Sequence, residues 1–111
     1  MVTGPSLGEF EQVVLLAILR LGENAYGVTI GAEIIAYTGR EPGPGALYPT
    51  LDRLEIKGSV SSRLGDPTPQ RGGRAKRYFE VNAKGLAAIT RAQQSYRKLL
   101  EGRELPGLNY A

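Results

Sequence analysis

The chain has 111 residues, of which 41% are hydrophobic and 23% charged, a composition typical of one globular domain. It contains no Cys and no His, which excludes disulfides, thiolate zinc sites and catalysis by a Ser-His or Cys-His pair. The net charge is +3, but seven basic and two acidic residues lie between positions 53 and 77, a local charge of +5. On charge alone, a polyanionic partner and a solvated basic surface are equally plausible explanations of this uneven charge. The predicted fold is needed to favour the polyanionic partner.

Residues 7–21 form the first predicted helix, because apolar side chains recur there at three- and four-residue steps. The helix is apolar on nearly all sides, which favours burial both in its own domain and at a subunit interface. We assign Phe10 and Leu15 to that interface. The longest apolar run, residues 13–19, is too short to span a membrane, and no secretory signal is recognised, so we expect a cytoplasmic protein.

A second helix is predicted over residues 26–38, with Gly27 and Gly31 on one face. Glycine lowers helix stability, so two glycines on one face indicate the close approach of another backbone. Residues 40–45 follow as a tight connector that contains Pro-Gly-Pro-Gly and cannot continue the helix.

The third predicted helix, residues 46–57, has a buried stripe made by Leu47, Leu51 and Leu54. Pro49 is compatible with a helix if it lies in the first turn, where the backbone N–H groups have no helical partner. The sequence therefore predicts that this helix begins near residue 45 or 46.

Two alternating segments, residues 59–64 and 76–82, predict a β-hairpin. Residues 65–74, between them, include three Gly and two Pro and predict a long, mobile loop. A last helix is predicted over residues 83–102, with a heptad seam along one side. This seam packs either on its own domain or, as we favour, on a partner subunit, and it consists of Leu86, Ile89, Gln93, Tyr96 and Leu100.

Three helices followed by a hairpin make a helix-turn-helix with a wing. In that arrangement the third helix enters the major groove of DNA, and the wing reaches the flanking backbone or minor groove. The predicted DNA contacts are polar or basic residues on these two elements, namely Tyr48, Thr50, Arg53, Lys57, Arg71, Arg74 and Lys76. The alternatives are a packed aromatic ring for Tyr48, an ion pair with Asp52, Glu55 or a neighbouring element for Arg53, and a solubilising loop for the wing.

The third helix also carries a motif: residues 45–55 read Gly-Ala-Leu-Tyr-Pro-Thr-Leu-Asp-Arg-Leu-Glu. This stretch resembles the core motif of the PadR-like transcriptional regulators, and Arg77-Tyr78-Phe79 resembles the second wing strand of that family. The resemblance covers residues 7–100 and fits the short subgroup, with an unusually breaker-rich connector and a long wing loop. It implies a dimeric winged-helix repressor whose last helix crosses to the partner, and it adds Pro49 to the DNA-binding positions.

We therefore predict an α+β, mostly α fold, a winged helix-turn-helix with a C-terminal dimerisation helix. Residues 1–82 are assigned to the DNA-binding domain, 83–102 to the dimerisation helix of the same unit, and 103–111 to a flexible tail. The predicted partners are double-stranded DNA at a palindromic operator and a second copy of the chain. A small aromatic effector at the dimer interface is a separate hypothesis, and plain packing of the dimer helices is favoured over it. We predict no metal, no cofactor and no enzymatic activity, because the carboxylates are scattered and no phosphate-binding loop is present. The alternative function is a winged-helix module that binds protein and not DNA.

Overall fold

A computed structural model of the chain describes residues 7–65 and 75–103. The elements within these ranges are α1 (Glu9–Leu21), a short 3₁₀ turn (Gly22–Asn24), α2 (Gly27–Thr38), α3 (Pro44–Ile56), β1 (Val60–Leu64), β2 (Arg77–Val81) and α4 (Ala83–Leu100). The predicted order of three helices, a hairpin and a last helix is therefore confirmed. The predicted wing loop from residue 66 to 74 and the predicted tail from residue 104 lie outside the described residues.

Helix α1 lies at the centre of the core and packs against the other three helices and β2. Its buried residues meet the apolar stripes of α2 and α3, and Phe79 and Ile89 close the core from the wing and α4. Leu15 is 0% exposed and Ile89 is 3% exposed. Both were expected at a subunit interface, and this expectation is wrong, because burial in the protomer's own core leaves them almost no surface for a partner.

Helix α3 begins earlier than its sequence predicted, at Pro44, with Gly43 as the N-cap residue. Proline is favoured at the first helical position because its fixed φ suits the helix and its missing N–H would have no partner there. Pro49 consequently lies inside the helix and not in its first turn. It cannot donate to the carbonyl of Gly45, so the helix contains one missing hydrogen bond in this region.

The wing is anchored to the helices through its second strand. Strands β1 and β2 pair antiparallel over five residues, and the backbone N–H of Phe79 also donates to the carbonyl of Ala25 at 2.8 Å. This contact belongs to a β-bridge between Tyr26 and Tyr78. The segment before α2 therefore pairs with β2 on the edge that β1 does not occupy. This pairing fixes the base of the wing against the helix-turn-helix.

Helix α4 starts with a close approach to the turn before β1. A Cβ atom on Gly85 would overlap the carbonyl oxygen of Ser59, so only glycine fits this position without a shift of the backbone. Asn82 donates through its side chain to the carbonyl of Gly58 at 3.1 Å and through its backbone to Ser59 at 2.8 Å. These contacts set the direction in which α4 leaves the wing. Among the described residues, no helix has the length and apolar character needed to cross a bilayer.

Candidate nucleic-acid interface

The face of α3 that points away from the core is formed by four residues spaced at helical intervals. Gly45, Pro49, Asp52 and Ile56 are all exposed, and Ile56 is 86% exposed. They lie opposite the leucine stripe, because residues three, four and seven apart share one side of a helix. We call these four residues the outward face of α3.

Tyr48 borders the outward face on the side of α2. Its ring packs against the first turn of α2, where a Cβ atom on Gly27 would overlap the tyrosine hydroxyl. The close approach expected at Gly27 is therefore made by a side chain and not by a backbone. Tyr48 nevertheless remains 46% exposed, so its ring is both a packed aromatic and part of the surface beside the outward face.

Thr50 does not face outward, contrary to its sequence-based assignment. The residue is 1% exposed, and its hydroxyl donates to the carbonyl of Ala46 at 2.7 Å. The same oxygen accepts a hydrogen bond from Nη2 of Arg53 at 2.9 Å. Thr50 is removed from the candidate DNA contacts, because its position beside the leucine stripe directs it into the protomer, where it orients Arg53.

Arg53 and Lys57 lie on the other border of α3, next to the N-terminus of α1, and both face Glu11. Nζ of Lys57 donates to the two carboxylate oxygens of Glu11 at 2.8 and 2.9 Å. Nε of Arg53 lies 3.7 Å from the same carboxylate, and the Arg53 side chain is 56% exposed. Arg53 thus forms, in part, the ion pair with a neighbouring element that was the alternative to a DNA contact. Lys57 is held by Glu11 through two hydrogen bonds.

The Glu11 carboxylate is 6% exposed and is stabilised by several donors. Burial raises the pKa of this group, but hydrogen bonds from Lys57 and from the backbone N–H of Gly8, with the charges of Lys57 and Arg53, outweigh burial and lower the pKa. Glu11 is therefore ionised at neutral pH and links α1 to the C-terminal half of α3.

The base of the wing carries two cations that each lie over a tyrosine ring. Nζ of Lys76 is 4.6 Å from the ring centroid of Tyr26, and the guanidinium of Arg63 is 4.8 Å from that of Tyr78. The two rings meet edge to face at 5.5 Å. Both cations are exposed. Stacking on a ring restrains each cation without neutralising its charge, so both remain able to pair with phosphate.

The basic window thus divides into cations with different surroundings. Arg53 and Lys57 face Glu11, and Arg77 forms ion pairs with Asp52 and Glu55. Among the described residues, Arg63 and Lys76 have no carboxylate within ion-pairing distance. Two further predicted contacts, Arg71 and Arg74, lie outside the described residues.

Arg63 and the two tyrosines beside it were not among the site residues predicted from the sequence. The signal for Arg63 in the sequence is the alternation of residues 59–64, which places it on the side of the strand opposite to Val60. Its partner was not evident, because Arg63 and Tyr78 become neighbours only through the register of the two strands. Tyr26 enters the cluster from a different part of the chain.

The residues assigned to a subunit interface separate into exposed and buried members. Leu86 is 50% exposed, Tyr96 46% and Leu100 36%, and Gln93 is exposed between them. On α1, Phe10 is half-buried and lies beneath the guanidinium of Arg40 at 5.3 Å. The hydroxyl of Tyr96 donates to Oε1 of Gln12 at 2.9 Å, which connects the distal half of α4 to α1. Gln12 was not among the predicted interface residues.

The outer side of α1 is also apolar, as its sequence indicated. Leu16 is 39% exposed and Leu19 is 43% exposed. Beside Leu16 a shallow groove of about 210 Å³ runs between α1 and α2, and Val13 and Tyr37 line it. Exposed apolar side chains therefore lie on both α1 and α4.

The comparisons with known proteins agree with this architecture. The model of the transcriptional regulator PadR-like family matches residues 15–91, more than half of the chain. A transcriptional regulator from Clostridium thermocellum superposes with a TM-score of 0.68 at 19% identity, covering 82% of this chain and 85% of that one. A PadR family transcription regulator from Clostridium difficile gives a TM-score of 0.64 at 21% identity, covering 81% and 90% of the two chains.

F93 from STIV, a winged-helix DNA-binding protein, is also similar, with a TM-score of 0.67 at 15% identity over 90% of this chain and 100% of that one. No curated protein matches the chain in sequence. At these identities the solved structures show the fold alone. They confirm the predicted mostly helical winged helix-turn-helix. The dimerisation role of α4 stays a prediction.

Proposed function

The chain belongs to the PadR-like family of transcriptional regulators, and we propose that it represses transcription by binding a palindromic DNA operator as a homodimer. The outward face of α3 enters the major groove, and the wing contacts the backbone beside it. Tyr48, Pro49 and Arg53 contribute from the helix. Lys76 contributes from the wing together with Arg71 and Arg74. Arg63 is added to this set, whereas Lys57 is assigned to the ion pair with Glu11.

The observation that carries this proposal is the pair of exposed cations at the base of the wing. Arg63 and Lys76 keep their charge available while Tyr26 and Tyr78 restrain their direction. Cations that neutralise phosphates supply a large share of the affinity for duplex DNA, and the adjoining helix supplies base contacts. Two exposed cations beside an exposed helix face suit a polyanion such as DNA.

Dimerisation follows from the apolar surface left on α1 and α4. Leu86, Tyr96 and Leu100 are exposed along one seam of α4, and burying their remaining apolar surface against a partner is favourable. We propose that this seam packs on the α4 and α1 helices of a second copy. A two-fold dimer presents two α3 helices, which predicts half-sites whose centres are roughly 34–36 Å apart.

The test begins with selection of duplex fragments from the source genome by the purified protein. Binding of the best fragment is then measured between low and physiological salt. For a Lys76→Ala dimer we expect the slope of log K against log salt to flatten by about 1.8, which is about 0.9 for each phosphate that is no longer neutralised. Lys98→Ala is the matched control, because Lys98 is an exposed lysine of α4 outside the seam. It should leave the slope unchanged.

The opposite outcome is equally informative. Weak binding without sequence preference, or a slope that Lys76→Ala does not change, would overturn binding by the wing. Failure to bind any duplex would favour the protein-interaction module. A promoter fused to a reporter then measures the sign of regulation, and increased expression on deletion of the gene is expected of a repressor.

We also propose that a flat aromatic effector binds at the dimer interface. Phe10, Tyr96 and Leu100 offer ring and aliphatic surface there, whereas Leu15 has none to offer. A ligand that binds only the folded dimer raises its melting temperature by mass action. A thermal-shift screen of aromatic compounds should identify one whose effect disappears in Tyr96→Ala. The absence of any stabilising compound would contradict sensing and leave DNA binding untouched.

A further inference from the structure

Arg77, the first residue of β2, connects the wing to α3. Its Nη1 donates to Oδ1 of Asp52 at 3.1 Å, its Nη2 donates to Glu55, and its Nε donates to Oγ of Ser62 at 3.1 Å. The guanidinium also lies 4.8 Å from the ring centroid of Phe79. One side chain thus holds α3, β1 and β2 together.

The cluster is closed on itself by a further hydrogen bond. The hydroxyl of Ser62 donates to Oε2 of Glu55 at 2.8 Å while it accepts from Arg77. The hydrogen bond from Ser62 is the largest influence on Glu55 and, together with Arg77, lowers the pKa of this carboxyl. Glu55 is therefore charged at neutral pH, and Arg77 faces two carboxylates.

The positions of these carboxylates matter for DNA binding. Asp52 belongs to the outward face of α3, with its side chain 58% exposed, and Glu55 lies between that face and the wing. A carboxylate without a counter-charge at this place repels the phosphate backbone. Arg77 supplies the counter-charge from the adjoining strand.

Because all three nitrogens of the Arg77 guanidinium donate to protein oxygens, Arg77 differs from the wing cations Arg63 and Lys76. A planar guanidinium forms such a fork with fixed geometry, which a lysine cannot reproduce. The same contacts therefore fix the direction of the wing relative to α3.

We propose that Arg77 is a positioning residue for DNA recognition: it sets the wing against α3 and neutralises Asp52 and Glu55 without contacting a phosphate. The proposal rests on the function proposed above. It concerns a basic residue that charge alone would count as a DNA contact. Removing Arg77 should weaken binding mainly through the two carboxylates.

A double-mutant cycle tests this. Arg77→Gln is introduced into the wild-type protein and into a protein with Asp52→Asn and Glu55→Gln, and affinity for the selected operator is measured for all four. In the wild-type background we expect Arg77→Gln to lower the affinity by about tenfold or more, because it exposes two carboxylates to the phosphates and loosens the wing. In the neutral background we expect the affinity to fall by less than about threefold. In the neutral background the salt slope should not change.

Lys76→Gln is the matched comparison, since it removes one positive charge from a neighbouring position of the same wing. Because Lys76 is proposed to contact a phosphate directly, Lys76→Gln should lower the affinity for the operator by the same factor in both backgrounds. It should also flatten the salt slope in both. If Arg77→Gln behaves like Lys76→Gln, then Arg77 contacts phosphate itself and the proposal is overturned.

Thermal melts establish that each variant is folded. If Arg77→Gln is not, Arg77→Lys enters the same cycle, because it keeps the charge and removes the fork. Its loss of affinity should again be confined to the background that retains Asp52 and Glu55, and an equal loss in both backgrounds would overturn the proposal. A wild-type protein that binds no duplex at all would instead refute the proposed function.

Discussion

Replacing Glu11 by alanine tests how strongly α1 is tied to α3. Glu11 is 6% exposed and accepts hydrogen bonds from Lys57 at 2.8 and 2.9 Å and from the backbone N–H of Gly8 at 2.8 Å. Removing one partner of a fully buried ion pair costs about 3–5 kcal/mol. The Lys57 side chain is 26% exposed, so water can solvate the remaining ammonium. We therefore expect the free energy of unfolding to fall by about 2 kcal/mol.

Thermal unfolding at a single protein concentration measures this loss, since the melting temperature of a dimer depends on concentration. A loss of about 2 kcal/mol corresponds to a fall of about 8 °C for a domain of this size. Glu9→Ala is the control: the Glu9 side chain is 76% exposed and pairs with Arg40 at 3.0 Å. An exposed pair contributes about 0–1 kcal/mol. Equal losses for Glu11→Ala and Glu9→Ala would refute the reasoning.

The pH dependence of the same contact has a defined sign. The pKa of Glu11 in the folded protein lies below its usual value of 4.5. Its stabilisation is therefore fully present above pH 4.5 and is lost as the pH falls through the folded pKa. The difference in stability between wild type and Glu11→Gln should shrink on acidification. A difference that stays constant from about pH 7 to pH 3 would show that the charge of Glu11 is not responsible.

Three further changes test other parts of the structure. In urea unfolding, Gly85→Ala should lower the free energy of unfolding by about 1–3 kcal/mol, because its Cβ overlaps the Ser59 carbonyl oxygen. Gly31→Ala is the control: its Cβ makes only ordinary contacts, so it should be neutral or stabilising by up to about 1 kcal/mol. Thr50→Val should change operator affinity by less than about threefold in a binding titration, since the residue is 1% exposed and the change removes only one of the two contacts that hold Arg53, which also faces Glu11. Leu100→Glu should convert the dimer to monomer in analytical ultracentrifugation and weaken operator binding. A dimeric Leu100→Glu protein would remove this residue from the interface.

The helices and the hairpin were predictable because each leaves a periodic pattern in a short stretch of sequence. The leucine stripe of α3 and the alternation in the two strands depend only on neighbours within a few residues. The start of α3 was missed for the same local reason: Pro49 suggested a start near residue 45, whereas Pro44 is itself suited to the first helical position. Both Pro44 and Pro49 are compatible with the first turn of a helix, and the hydrophobic periodicity does not show which of them lies there.

The site was less predictable, because partners that lie far apart in sequence determine the state of each cation. Lys57 meets Glu11 across 46 positions, and Arg77 meets Asp52 across 25. No local pattern reveals such pairs. The same limit applies to Thr50, since a residue on the border of a buried stripe faces inward or outward according to what packs beside it.

These pairings change what the local charge of +5 means for recognition. Ion pairs involve Arg53, Lys57 and Arg77, and the outward face of α3 itself carries no cation in the part of the chain that the structure describes. In the proposed function, the wing supplies the phosphate contacts, and α3 reads DNA through its outward face, which includes Ile56, with Arg53 at the border of that face. Because phosphate contacts carry no sequence information, wing substitutions should weaken all duplexes alike. Substitutions on the outward face should instead change which operator is preferred.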